Sequence, residues 1–160
     1  MKILHVLYSG LGGHGNVFFS MVVANENNEF TFEALFNGIE NVKEEYIKNC
    51  GEKGIYWYFV KKKPGLDIGY YRKLYSTIKK SRPHVIFLHG GAAALPAKLA
   101  KLTGTGIKKI IVRETQANHL KTNIDWLYLA TAMLVADKMV YLSTEYKEQV
   151  KAKWSWLYKE

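Results

Sequence analysis

The strongest constraint on this chain is a rhythm. Short runs of apolar, partly β-branched residues alternate with stretches patterned as helices, about six times over. The first run, residues 2–8, is almost continuously apolar, which suits a strand buried on both faces of a parallel sheet. A glycine cluster at residues 10–15 stops it, and Asn16 is placed to cap a helix over residues 17–24. Residues 30–36 alternate as a strand, with Thr31, Glu33 and Leu35 on one side. A short helix over 42–49 and an aromatic strand over 55–60 follow. Residues 67–80 read as an amphipathic helix: Tyr70, Tyr71, Leu74 and Ile78 form its apolar stripe, with Arg72, Lys73, Lys79 and Lys80 outside. Pro83 ends the connection. A fully apolar strand, 85–88, then turns through His89-Gly90-Gly91 into a helix over 92–102. The remaining elements are a strand at 109–112, a hydrophobic helix at 124–136, a strand at 139–142 and a helix at 145–153 capped by Ser143 or Thr144.

Such alternation predicts an α/β fold: a Rossmann-like parallel sheet with helices on both faces. A chain of 160 residues fits one domain, residues 1–160. With 48% hydrophobic and 23% charged residues it sustains a core, which excludes a disordered chain. The lone Cys50 excludes an internal disulfide framework and agrees with a reducing compartment. The N-terminal apolar run is short and broken by His5 and Gly10, unlike a signal peptide. The longest apolar run, residues 126–136, falls well short of the roughly 20 residues a spanning helix needs. A cytoplasmic location, with peripheral contact at the inner face of the membrane, is the expectation.

In open sheets of this kind ligands bind beyond the carboxyl ends of the strands, so the strand exits are the candidate site. The first exit, SGLGGHGN, fits G-x-G-x-x-G through Gly10, Gly12 and Gly15, after a strand and before a helix. Glycines there let a phosphate approach the backbone and the free amides of the helix N-terminus. A tight turn needing positive φ explains one or two of these glycines. Four in six positions call for close approach of something else. A dinucleotide site also wants an acid about 20 residues on; Asn37 stands there, which argues against classical NAD binding. His89, at the end of the fourth strand, is placed to point into the crevice and contact a hydroxyl or phosphate. The loop RETQANHLKTN carries Arg113, Glu114, Gln116, Asn118 and His119, polar enough to read an oxygen-rich acceptor. His84 and His89 sit at opposite ends of one strand and cannot share a metal, and no Cys/His spacing suggests zinc. Net charge +9 suits an anionic partner such as nucleic acid, nucleotide phosphates or an acidic membrane face and does not by itself choose among them; on the reading of the whole chain, a nucleic-acid partner is not expected. The aromatics Trp154, Trp156 and Tyr158, with Leu157, among lysines suit either a membrane interface or packing onto the protein.

Three segments resemble family-four glycosyltransferases. KILHVLYSGLGGHGNVFFSMVVAN resembles their opening strand, Gly-Gly loop and helix. RPHVIFLHGG resembles their fourth strand, typically P-D-V-V-H-x-H-G. LYLATAMLVADKMVYLSTEYKEQVKAKW resembles their ADxVIAxS segment and following helix. The resemblance implies one half of a GT-B fold, the N-terminal, acceptor-side domain of a retaining, metal-free enzyme. Its substrates would be a nucleotide-sugar donor and a glycan or lipid-linked acceptor, with no cofactor. By position, Gly12 and Gly13, with His14 and Gly15 in the same loop, would approach the donor phosphates. His89 would lie near the reacting sugar. Gly90, Glu114 and His119 would face the acceptor. Where the family often has T-x-H-D after the fifth strand, Arg113-Glu114-Thr115 stands here and His119 comes later. The donor-binding C-terminal domain is not within these residues, so these residues alone are expected to be inactive without that domain or a partner chain. Three other readings remain open at this point: half of a nucleotide-sugar epimerase, a non-catalytic binding subunit of a split transferase, and a flavodoxin-like signalling domain, against which the glycine-rich first loop speaks.

Overall fold

A computed structural model describes residues 1–158. Its strands are β1 (Lys2–Tyr8), β2 (Thr31–Gly38), β3 (Tyr56–Lys61), β4 (Val85–His89), β5 (Lys109–Arg113) and β6 (Lys138–Val140). Its helices are α1 (Gly13–Val23), α2 (Glu44–Glu52), α3 (Ile68–Ser81), α4 (Ala94–Leu102), α5 (Asn123–Val135) and α6 (Thr144–Lys153). Short 3-10 turns, Gly91–Ala93 and Asn118–Leu120, precede α4 and α5.

All strand pairs are parallel, in the order β3-β2-β1-β4-β5-β6. The chain moves outward from β1 through β2 to β3, then returns to the other side of β1 with β4. Parallel crossovers are right-handed, so this reversal sends the two sets of helices to opposite faces. Leu4, Val6, Leu35, Ile86 and Leu88 bury one face beneath α3, α4 and α5. Leu7, Ala34 and Phe36 bury the other beneath α1 and α2, with Phe18 and Tyr46. The fold is α/β and Rossmann-like, as the rhythm of the sequence predicts.

Local chemistry sets the helix ends. Asp67 caps α3 by accepting from the Tyr70 amide at 2.9 Å, and Arg82 closes that helix in the left-handed region at φ 48. Thr122 and Asp125 form a reciprocal capping box on α5, and Ser143 caps α6. The expected Asn16 cap is corrected: α1 starts earlier, at Gly13, with Gly12 in the cap position. The reason is Tyr46 of α2. Its hydroxyl accepts from the Gly12 amide at 3.1 Å, and a Cβ on Gly15 would overlap its ring. The last strand also shifts, to Lys138–Val140, because β6 pairs with β5 only from Lys138↔Ile111 to Val140↔Arg113.

Glu33, buried inside β2, accepts from Ser81 Oγ at 2.6 Å and pairs with Lys2 Nζ at 2.9 Å, which ties β1, β2 and α3 together. At the C-terminal end, Trp154 stands edge-on to Trp126 at 5.3 Å and Leu157 is buried beside Leu129 and Met133. Trp156 is exposed. Lys159 and Glu160, the last residues of that aromatic-lysine segment, lie outside the described residues. Among the described residues, no helix is long and apolar enough to cross a membrane.

Leu88 is fully buried in a central strand. Leu88→Ala should lower the unfolding free energy by about 3 kcal/mol, measured from the urea midpoint. A change below about 1 kcal/mol would mean that this face is not close-packed.

Candidate functional site

The reversal at β1 opens a crevice at the carboxyl ends of the central strands. It encloses about 240 Å³ and is lined by Tyr8, Asn37, His89, Gly90, Glu114 and Tyr128, among others. Gly90 forms its floor. It adopts φ 106, a left-handed conformation that favours glycine, and its amide donates to the Arg113 carbonyl at 2.9 Å, joining the exits of β4 and β5. Gly91 packs against the Tyr128 backbone, leaving no room for a side chain.

The glycine loop adjoins this crevice without lining it. None of Gly10, Gly12, Gly13 and Gly15 has a left-handed φ, so a positive-φ turn does not account for them. Gly10 and Gly15 give room to the rings of Tyr8 and Tyr46. Gly13 is different: it is exposed, and a Cβ there would meet nothing within 4 Å. Gly12 is exposed beside it, with the His14 ring close by. His14 braces the loop from within. Its Nε2 lies 3.1 Å from both the Tyr8 and the Gly10 carbonyl oxygens, so Nε2 carries the hydrogen and donates to both.

His89 lines the crevice, as its place at a strand exit leads one to expect, and its ring also reaches inward toward α1. Side chains alternate along β4, so Ile86 and Leu88 face α3–α5, and Phe87 and His89 face α1. His89 Nε2 lies 3.1 Å from His5 Nδ1, and the His5 ring sits among Phe18, Phe32 and Phe87. His5 Nε2 and His89 Nδ1 are buried without a hydrogen-bond partner. Whichever ring donates, the pair leaves one N–H and one lone pair unmet. Burial pushes the pKa of His5 down to about 3. Burial, then the neighbouring His5, Arg113 and His14, pushes His89 down to about 2. Both imidazoles are therefore uncharged near neutrality. They form a hydrogen-bonded brace between β1 and β4, directly below the glycine loop.

Glu114 lines the crevice, but its carboxylate organises its own loop. It accepts from the amides of Thr115 and Gln116 at 2.9 and 3.1 Å and faces Lys121 Nζ at 3.8 Å. Asn118 holds α6 through the Tyr146 carbonyl and the Gln149 side chain. His119 is exposed on the 3-10 turn and does not line the crevice. Asn37 is spoken for on both sides: it donates to the Leu7 carbonyl at 2.9 Å and accepts from Tyr70 Oη at 2.6 Å. Reasoning from the sequence missed Lys121, Asp125 and Tyr128. The T-x-x-D capping signature at Thr122 and Asp125 could have located the start of α5 and, with it, Tyr128 one turn on. Among the described residues, no three His, Cys, Asp or Glu side chains are grouped to hold a metal. A larger groove of about 700 Å³ runs beside the edge strand β6, between Met139, Tyr141 and Tyr158. It lies off the glycine loop and the β1, β4 and β5 exits, so the crevice is the better candidate.

No protein-family model and no curated protein matches the sequence. Several solved structures match the fold. The lipopolysaccharide outer core galactosyltransferase WaaB superposes with a TM-score of 0.68 at 19% identity over 96% of this chain and 42% of its own. Alr3699/HepE of Anabaena, in complex with UDP, matches at 0.68 and 14% identity over 96% of this chain and 41% of its own. A putative UDP-N-acetylglucosamine 2-epimerase of Listeria monocytogenes matches at 0.65 and 14% identity over 96% of this chain and 43% of its own. The chain thus spans about two fifths of each of these structures. The likeness is one of fold: a Rossmann-like half of the GT-B type.

The histidine pair makes stability depend on pH. The folded-state values lie below the unfolded value of about 6.5, so on acidification the unfolded chain takes up protons that the folded chain refuses. Stability is complete above about pH 6.5 and falls as pH drops toward the folded values, by up to about 1.4 kcal/mol per pH unit for each histidine. Urea midpoints between neutral and mildly acidic pH should fall steeply in the wild type and less steeply in His5→Phe. Parallel profiles for the two proteins would contradict the buried, uncharged pair.

Proposed function

We propose that this chain is the N-terminal, acceptor-side domain of a glycosyltransferase. The full protein moves a sugar from a nucleotide-sugar donor to a glycan or lipid-linked acceptor, in polysaccharide or glycoconjugate synthesis on the cytoplasmic side of the membrane. The observation that carries this reading is the bare Gly12–Gly13 step. It lies at the exit of the central strand and opens the first turn of α1, and at Gly13 there is open space where a side chain would stand. The first amides of a helix lack intrahelical acceptors and face the positive end of its dipole, a ready site for the negative charge of a departing diphosphate. Alr3699/HepE, which shares the fold, is described with UDP bound, in keeping with a donor of that class.

In this reading the second domain supplies most of the donor contacts and closes over the glycine loop. The crevice beside Gly90 and the Glu114 loop receives the acceptor. Its hydroxyl attacks the anomeric carbon on the face from which the diphosphate leaves, and positioning supplies much of the rate. His89 serves from below, holding β1 and β4, and with them the loop, in place. No metal takes part.

A second reading, half of a nucleotide-sugar 2-epimerase, draws on the likeness to the Listeria structure. The native full-length polypeptide, given UDP-sugars labelled in the sugar, separates the two. Transfer predicts label in a glycan or lipid fraction and free UDP; label left on the nucleotide with an inverted sugar carbon would establish the epimerase instead. Residues 1–160 alone should transfer nothing. Gly13→Val in the full protein should cut kcat/KM at least about tenfold with an unchanged urea midpoint, because its side chain enters open space.

A further inference from the structure

The outer face of α4 is a row of leucines. Leu95, Leu99 and Leu102, spaced by four and three residues, align on one side of the helix and are 56%, 54% and 69% exposed. The inner side of the same helix is alanine, with Ala94, Ala97 and Ala100 buried against the sheet. Next to α4, α5 turns Ile124, Leu127 and Leu134 outward to a similar degree. On the other flank, α3 presents Arg72, Lys73, Lys79 and Lys80 to solvent. Charge along α3 and α4 is one-sided. From Ile68 to Arg113 the chain has ten lysines and arginines and no aspartate or glutamate. Nearby Asp137 is neutralised by Lys101 at 2.7 Å. Six large aliphatic side chains thus stand in water beside an unopposed cationic helix.

We infer that the α3–α4–α5 face docks onto an anionic lipid bilayer, with the leucines entering the acyl boundary and the α3 cations meeting the headgroups. Two features favour a bilayer over a protein partner. Protein interfaces are enriched in aromatics, methionine and arginine and depleted in lysine, and leucine is under-represented among their energetic anchors. Leucine flanked by lysine is the composition of a surface that lies in a membrane interface. The face also meets the candidate site: Gly91, Ala92 and Ala93 line the crevice and lead directly into α4, one turn from Leu95. Docking there would hold the crevice mouth beside the membrane, where a lipid-linked acceptor is presented. This extends the membrane contact of the proposed function by locating it, yet the docking does not depend on the reaction.

The test is co-sedimentation with vesicles that contain no sugar acceptor, so its outcome is separate from that of the transfer assay. The chain should bind vesicles of phosphatidylcholine with phosphatidylglycerol, bind phosphatidylcholine alone far less, and release in high salt. L95Q/L99Q/L102Q should keep the wild-type urea midpoint and bind about tenfold or more weakly. R72Q/K73Q should weaken binding and flatten its salt dependence. Three results would overturn the proposal: a wild-type chain that ignores anionic vesicles, a leucine variant that binds as well as wild type, or a wild-type dimer in sedimentation velocity that the leucine variant dissolves, since a second copy would then cover the face.

Discussion

Everything at the candidate site follows from the placement of β1. It is flanked on one side by β2 and on the other by β4, and the chain reverses direction across the sheet there. Right-handed crossovers then force the helices that follow β1 and β2 onto one face and the helix after β4 onto the other. Their N-termini diverge at the carboxyl end of β1, which leaves a gap that side chains do not fill. The glycine loop enters that gap from one side and the crevice from the other.

The gap is supported by polar groups that have been given structural partners. Tyr46 receives the Gly12 amide, His14 holds the Tyr8 and Gly10 carbonyls, and Asn37 joins Leu7 to Tyr70. All of these bonds except the side-chain bond from Tyr70 to Asn37 satisfy a backbone group. What remains without protein in front of it is the Gly13 end of the Gly12–Gly13 step. Rigid support around an open step is the arrangement expected where a ligand must meet backbone amides without their having to reorganise.

The order of elements was legible because each strand is a short apolar run bounded by glycine, proline or polar residues. The amphipathic stripe of α3 was legible for similar reasons, whereas Asp67, read as part of that helix, caps it from outside. The start of α1 was not. Asn16 looks like a cap, and only the contact with Tyr46, thirty residues away in sequence, moves the helix back to Gly13. His89 was found by its position at a strand exit, but its orientation depends on pleat parity and on His5 across the neighbouring strand. Spacing alone carries no sign of that pairing. Glu114 and His119 share a loop in sequence, yet Lys121 draws the first inward and the 3-10 turn carries the second out.

The central claim is that ligand phosphate meets the backbone at the strand-exit gap. Backbone amide resonances of the isotope-labelled chain, followed during addition of UDP to millimolar concentration, test it most directly. The account predicts shifts concentrated at Gly12, Gly13 and Gly90, with Thr115 beside them. Shifts confined to Tyr141, Lys147 and Tyr158 along the β6 groove, or no shifts at all, would contradict it.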